Sequence, residues 1–91
     1  MKSKAVITVI GKDMVGIIAK VATECAKYNG NVIDVTQSIL QDMFAMVMLV
    51  EVSELNVPFH EFADHMARLG NELNLAIHTM HEDIFDSMHR I

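Results

Sequence analysis

The chain is predicted to fold as an α+β sandwich, a four-stranded antiparallel sheet with two helices on one face. Three observations lead there. Apolar β-branched runs alternate with helical periodicities in the order β-α-β-β-α-β, most changes are marked by Gly, Asn or Pro, and 91 residues suffice for one such unit. This is the split βαβ, ferredoxin-like arrangement, and right-handed crossovers put both helices on the same side of the sheet.

Ala5 to Ile10 is β-branched and almost wholly apolar, so it reads as a strand ended by Gly11. After the 12–16 loop, Ile17, Ile18, Val21, Ala22, Cys25 and Tyr28 recur at helical spacing opposite Lys20, Glu24 and Lys27. Asn29-Gly30 supplies a left-handed C-terminal cap. Asn31 to Leu40 alternates, with Ile33, Val35 and Ile39 on one face and Asp34, Thr36 and Ser38 on the other. Gln41-Asp42 is a tight turn without the glycine that most favours one. Met43 to Val52 follows as a strand that is apolar on both faces.

Asn56 and Pro58 start the second helix, whose stripe of Phe59, Phe62, Met66, Leu69 and Leu73 opposes Glu61, Asp64, Arg68 and Glu72. It should end between Asn71 and Asn74. Leu75 to Met80 is the fourth strand, and residues 82–91, with Ile84, Phe85, Met88 and Ile91, are expected to form a short amphipathic helix or turn. The whole chain, 1–91, is expected to be one domain with a 4–81 core and an 82–91 tail.

Hydrophobic residues make up 52% of the chain and charged ones only 21%. A sheet with helices on one side normally shows polar side chains on the other, yet the first and third strands do not alternate. At about 25 cal/mol per Å², leaving that second face in water would forfeit several kcal/mol. A second copy is therefore expected against that face or along an edge of the sheet, with the tail contributing. Seven Lys+Arg against twelve Asp+Glu give a net charge of −5, which repels phosphate backbones and anionic lipid. No nucleic-acid or membrane partner is expected. The single cysteine, Cys25, excludes an internal disulfide and fits a reducing compartment, so the cytoplasm is expected.

Catalytic chemistry is sparse. Gly11-x-x-x-x-Gly16 copies half of a phosphate-binding loop, but Ile17 and Ile18 stand where Lys and Ser/Thr are needed. His60 and His65 are five residues apart on the second helix, which separates their directions by about 140°. His78 and His81 point to opposite faces of a strand. No metal or cofactor is expected. Cys25 lies on the buried stripe of the first helix, and Asp13, Asp34 and His78 are isolated groups with no nucleophile beside them. Phe44 is the lone aromatic of the third strand, without the basic residues of an RNA-binding sheet. The methionines Met43, Met46 and Met48 serve as core or interface filler, or line an adaptable pocket.

The run Val6-Ile7-Thr8-Val9-Ile10-Gly11-Lys12-Asp13-Met14-Val15-Gly16-Ile17-Ile18, followed by Asn29-Gly30-Asn31-Val32-Ile33-Asp34-Val35 and Phe44-Ala45-Met46-Val47-Met48-Leu49-Val50, resembles an ACT domain. The resemblance extends over nearly the whole chain and is nearest to small stand-alone bacterial ACT proteins. Beyond them it reaches the ACT modules of the glycine-cleavage repressor and formyltetrahydrofolate deformylase. It implies a non-catalytic regulatory module that pairs through its sheet and binds a small ligand, usually an amino acid, at the subunit junction. Carried onto this sequence, the ligand-binding residues would be Lys12, Asp13, Met14, Val15 and Gly16 in the first loop and Asn31 at the start of the second strand. Loop N–H groups and a helix N-terminus suit a carboxylate, Asp13 suits an ammonium group, and Asn31 both donates and accepts. Two other roles stay open: an interaction adaptor without a small ligand, and a small dimeric enzyme using Asp34 or His78.

Overall fold

The computed structural model describes residues 3–12 and 15–84. Its elements run β1 (Lys4–Lys12), α1 (Ile17–Lys27), β2 (Asn31–Leu40), β3 (Met43–Glu51), α2 (Phe59–Leu73) and β4 (Leu75–His81). The strands form one antiparallel sheet in the order β2-β3-β1-β4, which is the predicted ferredoxin-like topology. A helical segment begins at Glu82 and is described as far as Ile84. The tail residues Phe85, Met88 and Ile91 lie outside the described residues.

One face of the sheet and the inner sides of the helices make the core. Ala5, Ile7 and Val9 of β1 sit opposite Val50, Met48 and Met46 of β3, and all are buried beneath Val21 and Cys25 of α1 and Phe62 and Met66 of α2. The stripe predicted for α2 faces inward, as do Ile17, Val21 and Cys25 of the α1 stripe, because residues three and four apart share a helix side. Ile18, expected on the α1 stripe, lies to its side and stands 36% exposed. The other sheet face carries Val6, Thr8 and Ile10 of β1 against Leu49, Val47 and Ala45 of β3. Ile10 and Val47 are each 46% exposed and Met43 is 49% exposed. The two-faced apolar character read from β1 and β3 is thus carried into the fold.

Helix α1 closes with a Schellman motif: Gly30 N–H donates to the Cys25 carbonyl at 2.8 Å and Asn29 N–H to that of Ala26 at 3.0 Å. It is Asn29, at φ 63°, that takes the left-handed conformation. The hairpin between β2 and β3 has the predicted two-residue turn, and Gln41 adopts φ 58° in place of the missing glycine. Three expectations shift: β1 does not end at Gly11 but runs through it, paired with Phe44 and Leu75, as far as Lys12. Asn56 does not cap α2; Pro58 occupies that position, while Asn56 donates from Nδ2 to the Lys27 carbonyl at 3.0 Å and from its backbone N–H to Tyr28 at 3.1 Å, tying the α2 entry to the end of α1. The simple alternation of β2 also fails, because a β-bulge between Val32 and Asp34 inserts one residue. Val32, Val35, Gln37 and Ile39 then align with the core-facing residues of β3, whereas Ile33 is the inserted residue and stands 47% exposed.

Candidate functional site

The first turn of α1 lies beside the distal half of β2. Gly16 caps the helix in the left-handed region at φ 84°, where any L side chain is strained. The first intrahelical bond is Lys20 N–H to Gly16 carbonyl at 3.0 Å, so the amides of Ile17, Ile18 and Ala19 have no partner within the helix. Gly16 has no side chain with which to cap this end, and the first turn holds no acidic residue. The partial positive charge of the helix terminus is therefore uncompensated by the helix's own residues.

A groove of about 520 Å³ opens here, lined by Gly16, Ile17, Ile18 and Ala19 on one side and by Gln37, Ile39 and Phe44 on the other. Of the residues read from the sequence as a ligand site, Gly16 lines it directly. Lys12 is exposed at the end of β1, opposite Met43, and Val15 is 96% exposed in the approach to α1. Asp13 and Met14 lie outside the described residues. Asn31 is elsewhere: it shares a row with Glu51 and Lys4, whereas Lys12 shares one with Met43 and Leu40. Eight residues of β1 separate the two rows, about 26 Å at the strand rise. Within one subunit the two halves of the predicted site do not meet.

Gln37, Ile39 and Ile18 were not singled out as ligand residues from the sequence. The signal was present in part, because Ile39 stood on the apolar side of β2. What was missing was the bulge and the placement of that half-strand beside α1.

The other candidates resolve simply. Asp34 is exposed, and its Oδ1 accepts the N–H of Val35 at 2.9 Å. His78 is exposed opposite Thr8, and His81 faces the other way, edge-on to Phe59 with ring centroids 5.6 Å apart. Among the described residues no three metal-ligating side chains cluster. The Cys25 thiol is fully buried, and desolvation, reinforced by the neighbouring Glu24 charge, pushes its pKa up to about 11, so it stays protonated and unreactive.

On the outer side, two grooves of about 370 and 390 Å³ separate α1 from α2. A polar clasp crosses them. His65 Nε2 donates to Glu24 Oε2 at 2.7 Å, Lys27 Nζ donates to Glu24 Oε1 at 3.1 Å, and the His65 ring lies 4.9 Å from that of Tyr28. The His65 hydrogen bond, assisted by Lys27 and opposed by partial burial, holds the Glu24 carboxyl below the ordinary glutamate value of 4.5. A depressed carboxylate contributes stability above its unfolded pKa and loses it as the pH falls through the folded one. Glu24→Gln is therefore expected to cost about 0.5–1 kcal/mol near neutrality, and the difference should close in acid. Thermal unfolding of both proteins at about pH 7 and about pH 3 measures this; a gap of equal size at both would contradict the assignment.

No helix among the described residues is long and apolar enough to cross a membrane. A family model described as the ACT domain matches residues 3–85. A UPF0237 protein from Methanopyrus kandleri is 40% identical over 89 residues, covering 98% of this chain and 99% of that one. In structure, an ACT domain protein from Streptococcus pneumoniae superposes with a TM-score of 0.81 at 32% identity, covering 94% of this chain and 97% of the other. A putative glycine cleavage system transcriptional repressor shares the fold, with a TM-score of 0.72 at 22% identity over 89% of this chain and 46% of its own. The sheet order and these matches agree, and the chain belongs to the ACT domain family, a family of regulatory modules.

Proposed function

We propose that this chain is a cytoplasmic sensor: a homodimer that binds a free amino acid at the junction of its subunits and regulates a separate protein. The observation that carries this reading is where the site's two halves fall. The groove beside Gly16 opens along β2, an edge strand, and Asn31 lies at the far end of that same strand. A two-fold axis that pairs β2 antiparallel with its copy reverses the partner strand, so Asn31 of the partner subunit comes beside the Leu40 end. The loop of one copy and the asparagine of the other then form one site. The uncapped amides of α1 take the carboxylate, Asp13 takes the ammonium group, and Asn31 bonds to either.

Calorimetry against a panel of free amino acids tests the ligand. Binding that Asp13→Ala and Asn31→Ala each weaken is the expected result; silence toward the whole panel would refute it. Mixing the two variants tests the shared site. Statistical exchange of subunits should restore about a quarter of the sites, those in which an intact loop meets an intact Asn31. No recovery on mixing would place both residues in one subunit's site.

The open face favours a second reading, an adaptor that holds a partner protein without any small ligand. Ile10, Met43 and Val47 stand half exposed there on neighbouring strands. Val47→Glu would then abolish partner binding while leaving any amino-acid binding intact, whereas in the sensor reading it leaves ligand affinity and β2 pairing unchanged.

A further inference from the structure

The groove's lining bears on which amino acid fits, an inference that rests on the ligand reading above. Ile17, Ile18, Ala19, Ile39 and Phe44 present apolar side chains to it, and among the described residues Gln37 is its single polar side chain and no charged one lines it. The floor is firm, because Ile17 and Phe44 are 2% and 4% exposed and belong to the core. The rims are the opposite: Ile18 is 36% and Ile39 56% exposed, two large apolar side chains standing in water on facing elements. The volume of about 520 Å³ is in the range of small-molecule sites.

We infer that this groove selects amino acids with large apolar side chains, Ile18 and Ile39 closing over the side chain while Gln37 rejects nothing by charge. An aliphatic or aromatic side chain removes both rims and its own surface from water together. A carboxylate or ammonium side chain lying between Ile18, Ile39 and Phe44 loses hydration and meets no oppositely charged side chain among the described lining residues, the α1 amides being already engaged by the ligand's main-chain carboxylate. Alanine and glycine reach neither rim. Selection therefore follows from the apolar walls, while the ligand's main-chain carboxylate is held by the α1 amides at the groove's end.

Calorimetric titration of the intact protein with leucine, phenylalanine, alanine, serine, aspartate and lysine is the test. Leucine or phenylalanine should bind at least about tenfold more tightly than alanine, and aspartate and lysine should give no heat at the same concentrations. Ile39→Ser, at an exposed position that leaves the core untouched, should weaken leucine about tenfold and alanine less, so that the ratio shrinks. A second variant, Ile18→Ala, should act in the same direction. Serine or aspartate binding as tightly as leucine would overturn this inference while leaving the sensor reading standing. So would an unchanged leucine-to-alanine ratio in both variants. Absence of binding by all six would overturn both.

Discussion

Phe62→Ala is expected to lower the stability of the domain by about 3–5 kcal/mol. Among the described residues Phe62 is the largest fully buried side chain, at 0% exposed. It anchors α2 to the sheet within the single core cluster, and it meets Tyr28 of the first helix–strand connection edge-on, with ring centroids 6.1 Å apart at 68°. Truncation removes the transfer free energy of a whole ring and leaves a cavity between two layers that are held apart by other side chains. A small domain has about 5–15 kcal/mol in total, so much of its stability would go. Urea unfolding should show a lower midpoint with an unchanged slope. A loss under about 1 kcal/mol would mean that the layers collapse onto the gap. Because the Tyr28 contact sits beside the Glu24–His65 clasp, the same substitution should also weaken the acid-sensitive contribution of Glu24.

Gly70→Ala is the second large effect, and its sign is the informative part. In an isolated helix the change would stabilise by about 1 kcal/mol. Here a Cβ at Gly70 would lie 2.6 Å from the carbonyl oxygen of Leu75, 3.0 Å from Ile77 Cγ1 and 3.2 Å from Ile77 Cβ. The first of these is backbone of β4 and cannot rotate away. Helix α2 must lift from the strand or β4 must bend, and overpacking of this kind costs typically 1–3 kcal/mol. Set against the propensity gain, a net loss of up to about 2 kcal/mol is expected, read as a fall in thermal midpoint of up to roughly 8–16 °C for a domain of this size. Stabilisation instead would show that α2 rides higher on β4 than the structure places it.

Much of the architecture was readable from residue spacing. The stripes of α1 and α2, the bounds of β2 and the end of α2 near Asn74 all follow from local periodicity and capping chemistry, which act within a turn or two of chain. The apolar character of both faces of β1 and β3 was equally visible, because a strand covered by helices on only one side has no local reason to carry Ile10 and Val47 on the other. Two local readings failed for local reasons of their own. Asn56 looked like a cap but spends its amide on the end of α1, and the regular alternation of β2 concealed the extra residue at Ile33.

The candidate site was readable only as a set of residue types. The family resemblance groups Lys12 to Gly16 with Asn31, yet the sheet register holds Asn31 at one end of the subunit and the α1 entrance at the other. Spacing along a chain says which side chains share a face of one element. It says nothing of which elements become neighbours, since that is settled by how the apolar faces of the whole chain bury one another. Here the β2-β3-β1-β4 order leaves β2 on the edge and sets its distal half against the start of α1, so Gln37 and Ile39 join Gly16 and Ile18. Helices, strands and an amphipathic plan were written in the local sequence; the groove, its apolar walls and the distance between Asn31 and the α1 entrance came from long-range packing.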